Sequence, residues 1–356
     1  MCYYMLLFIT LEIILTNQSI KRIGFACKWA EINKKGEIAS VEGLNTGGTT
    51  LAWAKRNNRA IVEQKILDVA KNNIINTHNL VKRVATLEPN LRMVRLTSDM
   101  FSFYTHEDYR DFWKSSDVQN SLERWMAPIG ETARANDVRL SFHPDQFVVL
   151  ASDRPEVVNK SIEEFEYHVD MARWMGYGKQ FQDIKINVHI SGRAGPQGLK
   201  DTLKRLTPEA RNTITIENEE ISWGLDSTLE LAEDLALVLD IHHHWIKTGE
   251  YIERNDDRIK KIIDSWRGLR PTIHYSVSRE DVLVEHTKHG RPALAPLIES
   301  GHNKQKLRAH SEYYWNDAVN DWALTHSDWA DIMCESKAKN LASFKLFEKA
   351  KTNGII

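Results

Sequence analysis

Eight short apolar runs, each bounded by polar or turn residues and separated from the next by a longer amphipathic stretch, limit what this chain can fold into. They are RIGFAC (22–27), MVRLTS (93–98), VRLSFH (138–143), IKINVH (184–189), TITIEN (213–218), LALVLD (235–240), PTIHYS (271–276) and ADIMCES (330–336). Runs of this length rich in Val, Ile and Leu read as buried strands. The segments between them carry helical periodicity. Examples are IVEQKILDVAKNNIINTHNLVKRVATL and PEVVNKSIEEFEYHVDMARWMG, the second opening on Pro155, where a first-turn proline is tolerated. Strand and helix alternating eight times predict an α/β fold of the (β/α)8 TIM-barrel kind. Such barrels commonly exceed ~250 residues as one unit. Residues 22–356 are therefore expected to form a single barrel domain, with its long insertions after the first strand and between the seventh and eighth.

Composition narrows the class. With 47 Lys+Arg against 49 Asp+Glu, no global basic field announces a nucleic-acid binder, so a polyanion would have to be met by a local patch or by metal cations. Cys2, Cys27 and Cys334 are far apart and form no CxxC pair. That argues against a disulfide framework or a zinc ribbon and fits a reducing cytoplasm. The apolar opening MCYYMLLFITLEIIL lacks a basic n-region, contains Glu12 and is shorter than the ~20 residues a membrane helix needs. Residues 1–21 read as neither anchor nor cleaved signal, but as an extension packed on the barrel or an over-extended start.

In a TIM barrel the chemistry gathers at the C-terminal ends of the strands. There the third run ends in His143, the fourth in His189, the fifth in Glu217, the sixth in Asp240 followed by His243, the seventh in His274 and the eighth in Glu335. His106 follows the second run, and His310 precedes the eighth. One histidine at a strand end means little. Six strands ending in imidazoles or carboxylates would repel and desolvate one another unless cations compensate. The mixed donors suit borderline divalent ions, and nine of them imply two or three ions, manganese foremost, with zinc or magnesium as alternatives. In the triplet His242–His244, His243 is expected to face the mouth with Asp240, and His242 and His244 to support it. His78, His168 and His326 lie in helical segments and read as structural. Several metals in one site point to phosphoryl chemistry.

The motifs SFHPDQFVVLAS (141–152), INVHISGRAGPQG (186–198), TIENEE (215–220), DIHHH (240–244), PTIHYS (271–276), RAHS (308–311) and DIMCESKAK (331–339) occur in order. Together they resemble the UV damage endonuclease family, related in fold to AP endonucleases of the endonuclease IV type. The resemblance implies a metal-dependent barrel that nicks double-stranded DNA immediately 5′ to photoproducts, abasic sites and other lesions. It implies metal ligation by His106, His143, His189, Glu217, Asp240, His243, His274, His310 and Glu335, with Glu217, Glu335 and His274 at the catalytic centre. Gln146 and Phe147 match a Gln-Tyr pair that inserts into the duplex at the lesion, and Phe25 matches an aromatic near it. Stacking of such a ring on bases is worth roughly 1–3 kcal/mol.

One departure stands out. The family carries a lysine, reported to be carboxylated, two residues before the seventh-strand histidine, and this chain has Thr272 there. Weaker metal holding is the expectation. Lys337 and Lys339 are expected to contact DNA; Arg193, Lys200 and Arg279 are weaker candidates for phosphate contacts. A monomer in the cytoplasm, at the nucleoid and away from membranes, completes the reading. Two alternatives stand beside it: a damaged-DNA-binding protein with impaired hydrolysis, and a metal-dependent sugar isomerase.

Overall fold

The computed structural model describes residues 20–283 and 286–356, so the apolar opening lies outside the described residues. All eight runs become strands of one parallel sheet. They are β1 (Ile23–Ala26), β4 (Met93–Arg95), β5 (Arg139–Phe142), β6 (Lys185–His189), β7 (Ile214–Glu217), β8 (Ala236–Val238), β9 (Thr272–Tyr275) and β10 (Asp331–Cys334). The order is β8-β7-β6-β5-β4-β1-β10-β9. β8 and β9 are joined by a parallel bridge between Asp240 and His274, and the His274 N–H donates to the Leu239 carbonyl (3.0 Å). The sheet thus closes into a barrel at the very residues proposed as ligands. A separate antiparallel pair, β2 (Ala30–Ile32) and β3 (Ile38–Ser40), sits in the first insertion. Among the described residues no helix is long and apolar enough to cross a membrane.

Helices cover the outer face. Arg59–Ala85 starts where the Asn58 side chain accepts from the Ile61 N–H, and buries Val62, Ile66, Ala70, Ile74 and Val81 along one stripe. Pro155 occupies the first turn of Pro155–Trp174. Gly130 sits inside the helix Ser116–Ala135 because a Cβ there would fall 1.9 Å from the Met175 carbonyl oxygen.

Successive strand residues point to opposite faces, so the positions in step with the strand-end histidines face the barrel axis. In this barrel they are mostly polar. At the N-terminal end, fully buried Asp331 accepts from Arg139 (2.6 Å), Arg270 (2.7 Å) and the Arg22 N–H (2.9 Å), with the Arg22 guanidinium 3.8 Å away. A small apolar layer of Ala26, Met93 and Met333 lies between, and the histidines and carboxylates occupy the C-terminal end. The apolar core proper is the layer between sheet and helices, where each fully buried Ile, Phe or Leu contributes roughly 1.5–3 kcal/mol.

Candidate metal centre

Glu217, the last residue of β7, is the hub. Its Oε2 lies 3.2 Å from His143 Nε2 and 3.0 Å from His274 Nδ1, and it accepts from the Asn187 side chain. Its Oε1 lies 3.5 Å from His243 Nδ1. His274 Nδ1 is also 3.4 Å from Glu335 Oε1. The His143 and His189 rings are 4.9 Å apart, and those of His189 and His243 5.5 Å. Three groups have donor atoms within 4.8 Å of one another: His143, His274 and Glu335; His143, His189 and Glu217; Glu217, Asp240 and His274.

The chemistry of these donors fits divalent cations. Glu217 Oε1, Asp240 Oδ2, His189 Nδ1 and His274 Nδ1 are buried without a hydrogen-bond partner, a costly arrangement unless each is a ligand atom. Burial pushes His189 and His274 down to about 4, so both rings are neutral at pH 7 with a lone pair to offer. Burial, reinforced by Glu217 and Glu335, raises the Asp240 carboxyl well above its ordinary range. Burial works against a charge on His243, yet Asp240, Glu217 and Glu220 lift it to about 9. The pocket demands positive charge.

The three histidines after Asp240 now have a local explanation. Asp240 is the N-cap of the helix Ile241–Thr248, its Oδ1 accepting from the His243 N–H (2.7 Å). Successive residues of a helix point about 100° apart, so only His243 faces the carboxylates. His242 is held between the Ser276 (2.7 Å) and Ser278 (3.1 Å) hydroxyls, and His244 meets Glu250 (2.9 Å).

Besides His243, three expected residues stand outside these donor groups. His106 belongs to none of the three donor groups. A local turn holds it instead: its ring lies against Phe103 and Tyr109, and its Nδ1 accepts from the Asp108 N–H (3.2 Å). Phe25 does not reach the mouth. At 1% exposure it packs edge-on against Trp29 beneath the helices, because its place in β1 turns it outward from the barrel axis. His310 is buried beside His242 and borders Glu335 without joining a donor group. By contrast Phe147 is 79% exposed, and Gln146 beside it is exposed too. Asp145 and Phe147 of this loop line a cavity of about 1110 Å³ that takes in Phe103 and Lys160. Arg193, Lys200 and Arg279 are tied to surface acids, Asp153, Asp234 and Asp281.

Several residues of the site escape a reading of strand ends. Thr272 is buried with its hydroxyl unpartnered, but Lys185, from β6, sends its amine to His274 Nε2 (2.9 Å). Burial pushes that amine down to about 7 against the pull of Glu217. Arg95 pairs with Glu335, and Glu220, itself held by Arg308 (2.9 Å), lies 3.7 Å from His243 Nε2. Polar residues inside an apolar run, two and four before His189, were the available signal for Asn187 and Lys185.

Residues 21–355 match the family model described as UV-endonuclease UvdE. Among curated proteins, the UV-damage endonuclease of Schizosaccharomyces pombe is 28% identical over 286 residues, covering 76% of this chain and 43% of its own length. The UV DNA damage endonuclease of Bacillus velezensis is 26% identical over 314 residues, covering 84% of this chain and 88% of its own. Among solved structures, SacUVDE superposes with a TM-score of 0.70 at 22% identity, over 94% of this chain and all of that one, which establishes a shared fold.

Proposed function

Because the chain belongs to the UV-endonuclease UvdE family, we propose that it is a metal-dependent DNA repair endonuclease that hydrolyses the backbone immediately 5′ to UV photoproducts and other lesions. The observation that carries this reading is the convergence of His143, His189, Glu217, Asp240, His274 and Glu335, of which His189, Glu217, Asp240 and His274 each keep a buried donor atom without a partner, with His243 against them. These residues would hold two or three divalent ions, manganese foremost, and the ions would supply an activated water and charge for the leaving oxygen. The chain's own part is positioning. Neutral His189 and His274 offer lone pairs, Asn187 orients Glu217, and Asp240 holds His243 through the helix cap. Exposed Gln146 and Phe147 would fill the gap at a lesion, and Lys337 and Lys339 would meet phosphates. The enzyme would work as a cytoplasmic, nucleoid-associated monomer, with residues 22–356 as one domain and 1–21 as an extension.

Incubation of irradiated supercoiled plasmid with the protein and Mn²⁺ tests the reading: nicks confined to irradiated DNA are expected. Glu217→Gln should abolish them and lower metal content by elemental analysis while circular dichroism stays unchanged. Retarded but unbroken DNA would make the protein a damage sensor. No binding and no nicks would leave a sugar isomerase-like activity, and absence of metal after Mn²⁺ loading would sink the metal centre.

A further inference from the structure

Beside the metal centre lies a smaller cavity of about 300 Å³. Ala26, at the end of β1, lines it with Arg95, His310, Glu335, Ser336, Lys337 and Lys339. Arg95 and Glu335 form an ion pair, so their charges offset and the two lysines leave the cavity net positive in a chain whose formal charge is -2. Two donors in its walls have nothing to bond. Ser336 is 3% exposed, and its Oγ has no partner; Arg95 Nε is likewise buried and unpartnered. Buried donors in native structures find partners, so two orphans on one small cavity call for an acceptor.

The backbone supports the same conclusion. Lys339 is held at φ +55°, a conformation L side chains rarely adopt, immediately before the 13-residue helix Asn340–Thr352. Strain of this kind persists where the surroundings over-determine it. The helix N-terminus adds the positive end of its dipole. Glu335 is the carboxylate that faces the Lys339 amine, and Arg95 already holds it. A hydroxyl, a guanidinium and two ammoniums converging on one space suit a tetrahedral oxyanion. Glu335 forms a wall of this cavity while also lying 3.4 Å from His274, so an anion bound here would neighbour the reacting bond.

We propose that this cavity binds a phosphate group of the cut strand, next to the phosphodiester at the metal centre, with Arg95, Ser336, Lys337 and Lys339 as donors. Assigning the phosphate to a DNA strand rests on the proposed nuclease reading; the oxyanion site rests on the cavity.

Two measurements separate these layers. In the first, metal-free protein is melted in inorganic phosphate and in chloride at equal ionic strength. The midpoint should rise with phosphate, as mass action requires of a ligand that binds the folded state. Lys339→Met should weaken the phosphate affinity at least tenfold, and the small change Ser336→Ala at least threefold. Equal midpoints in phosphate and chloride for the wild type, or full phosphate protection in both variants, overturn the site. In the second, a lesion-bearing duplex carries one neutral methylphosphonate at a time. Wild-type affinity should fall at a single position flanking the cut, and Lys339→Met should show no further loss there. Phosphate protection with no sensitive position overturns the assignment to the strand. A wild type that leaves irradiated DNA intact would overturn the nuclease reading, while the melting experiment would still decide the oxyanion site.

Discussion

Glu217 shows how one buried carboxylate can organise a site: two histidines and an asparagine converge on one of its oxygens, and the other is left unpartnered 3.5 Å from His243. Lys185 raises the opposite question, since a buried amine beside the proposed metal ligands brings positive charge where cations are wanted. Its amine meets His274 on Nε2, which leaves Nδ1 turned towards Glu217 and Glu335. Partners of this kind fix the orientation of a ligating imidazole, and losing one typically costs 10–100-fold in metal affinity. Lys185→Met should therefore weaken Mn²⁺ binding by about 10–100-fold. It should also hold or raise the melting temperature, because a desolvated amine gives way to an apolar chain of similar length. A calorimetric titration showing unchanged Mn²⁺ affinity would make Lys185 mere filling and return the weight to Thr272. At the loop tip, Gln146→Ala combined with Phe147→Ala removes the exposed wedge and no donor. Binding to lesion-bearing duplex should drop towards that to undamaged duplex by gel shift, roughly 5–150-fold for ~1–3 kcal/mol of stacking, with metal content unchanged. Equal discrimination in the variant would mean that the loop plays no part in recognition.

At the scale of elements, all eight barrel strands were legible because each is an apolar run of a length few other structures accept. The helix Ile241–Thr248 was not, since an eight-residue segment beginning IHHH gives little periodicity, and its N-cap aspartate looks like the end of the preceding strand. The pair β2 and β3 was missed for a related reason: three residues a side, with only Ala30 buried, are too few to carry a hydrophobic period. That the strand-end histidines and carboxylates converge could be read from position alone. Lys185, Arg95 and Glu220 could not, because what makes them part of the site is which strand lies opposite, and His106 and Phe25 went the other way through a local turn and the facing of one strand residue. Asp240 tests how element and site are joined. Asparagine caps a helix as well as aspartate does, whereas alanine forfeits ~1 kcal/mol. Asp240→Asn should keep the urea midpoint near that of the wild type and lose metal. Asp240→Ala should lose metal and also unfold earlier. Identical midpoints for the two variants would show that the cap contributes nothing.

Across the whole molecule the barrel separates support from chemistry. Asp331 and its arginines tie the strands together at one end, and the carboxylates and neutral imidazoles gather at the other. Two further histidines, outside the candidate metal centre, couple this packing to pH. His168 bonds the Glu164 carbonyl from within its helix, and His326 lies between Trp322 and Trp329; burial pushes both down to about 4. The sign follows from linkage. Below about 6.5 the unfolded chain protonates these rings while the folded protein cannot, so stability falls as pH drops from 6.5 and stops falling on their account below about 4. At pH 5 the loss should be on the order of 2 kcal/mol for each histidine. Urea unfolding of metal-free protein at pH 7 and pH 5 measures the total, and His168→Met, which cannot take up a proton, isolates one share. The variant should lose less stability than the wild type between the two pH values, by on the order of 2 kcal/mol, whatever its stability at pH 7. Parallel losses in the two proteins would mean that His168 is charged in the folded state, and that the core around Phe142 and Tyr167 admits more water than its packing indicates.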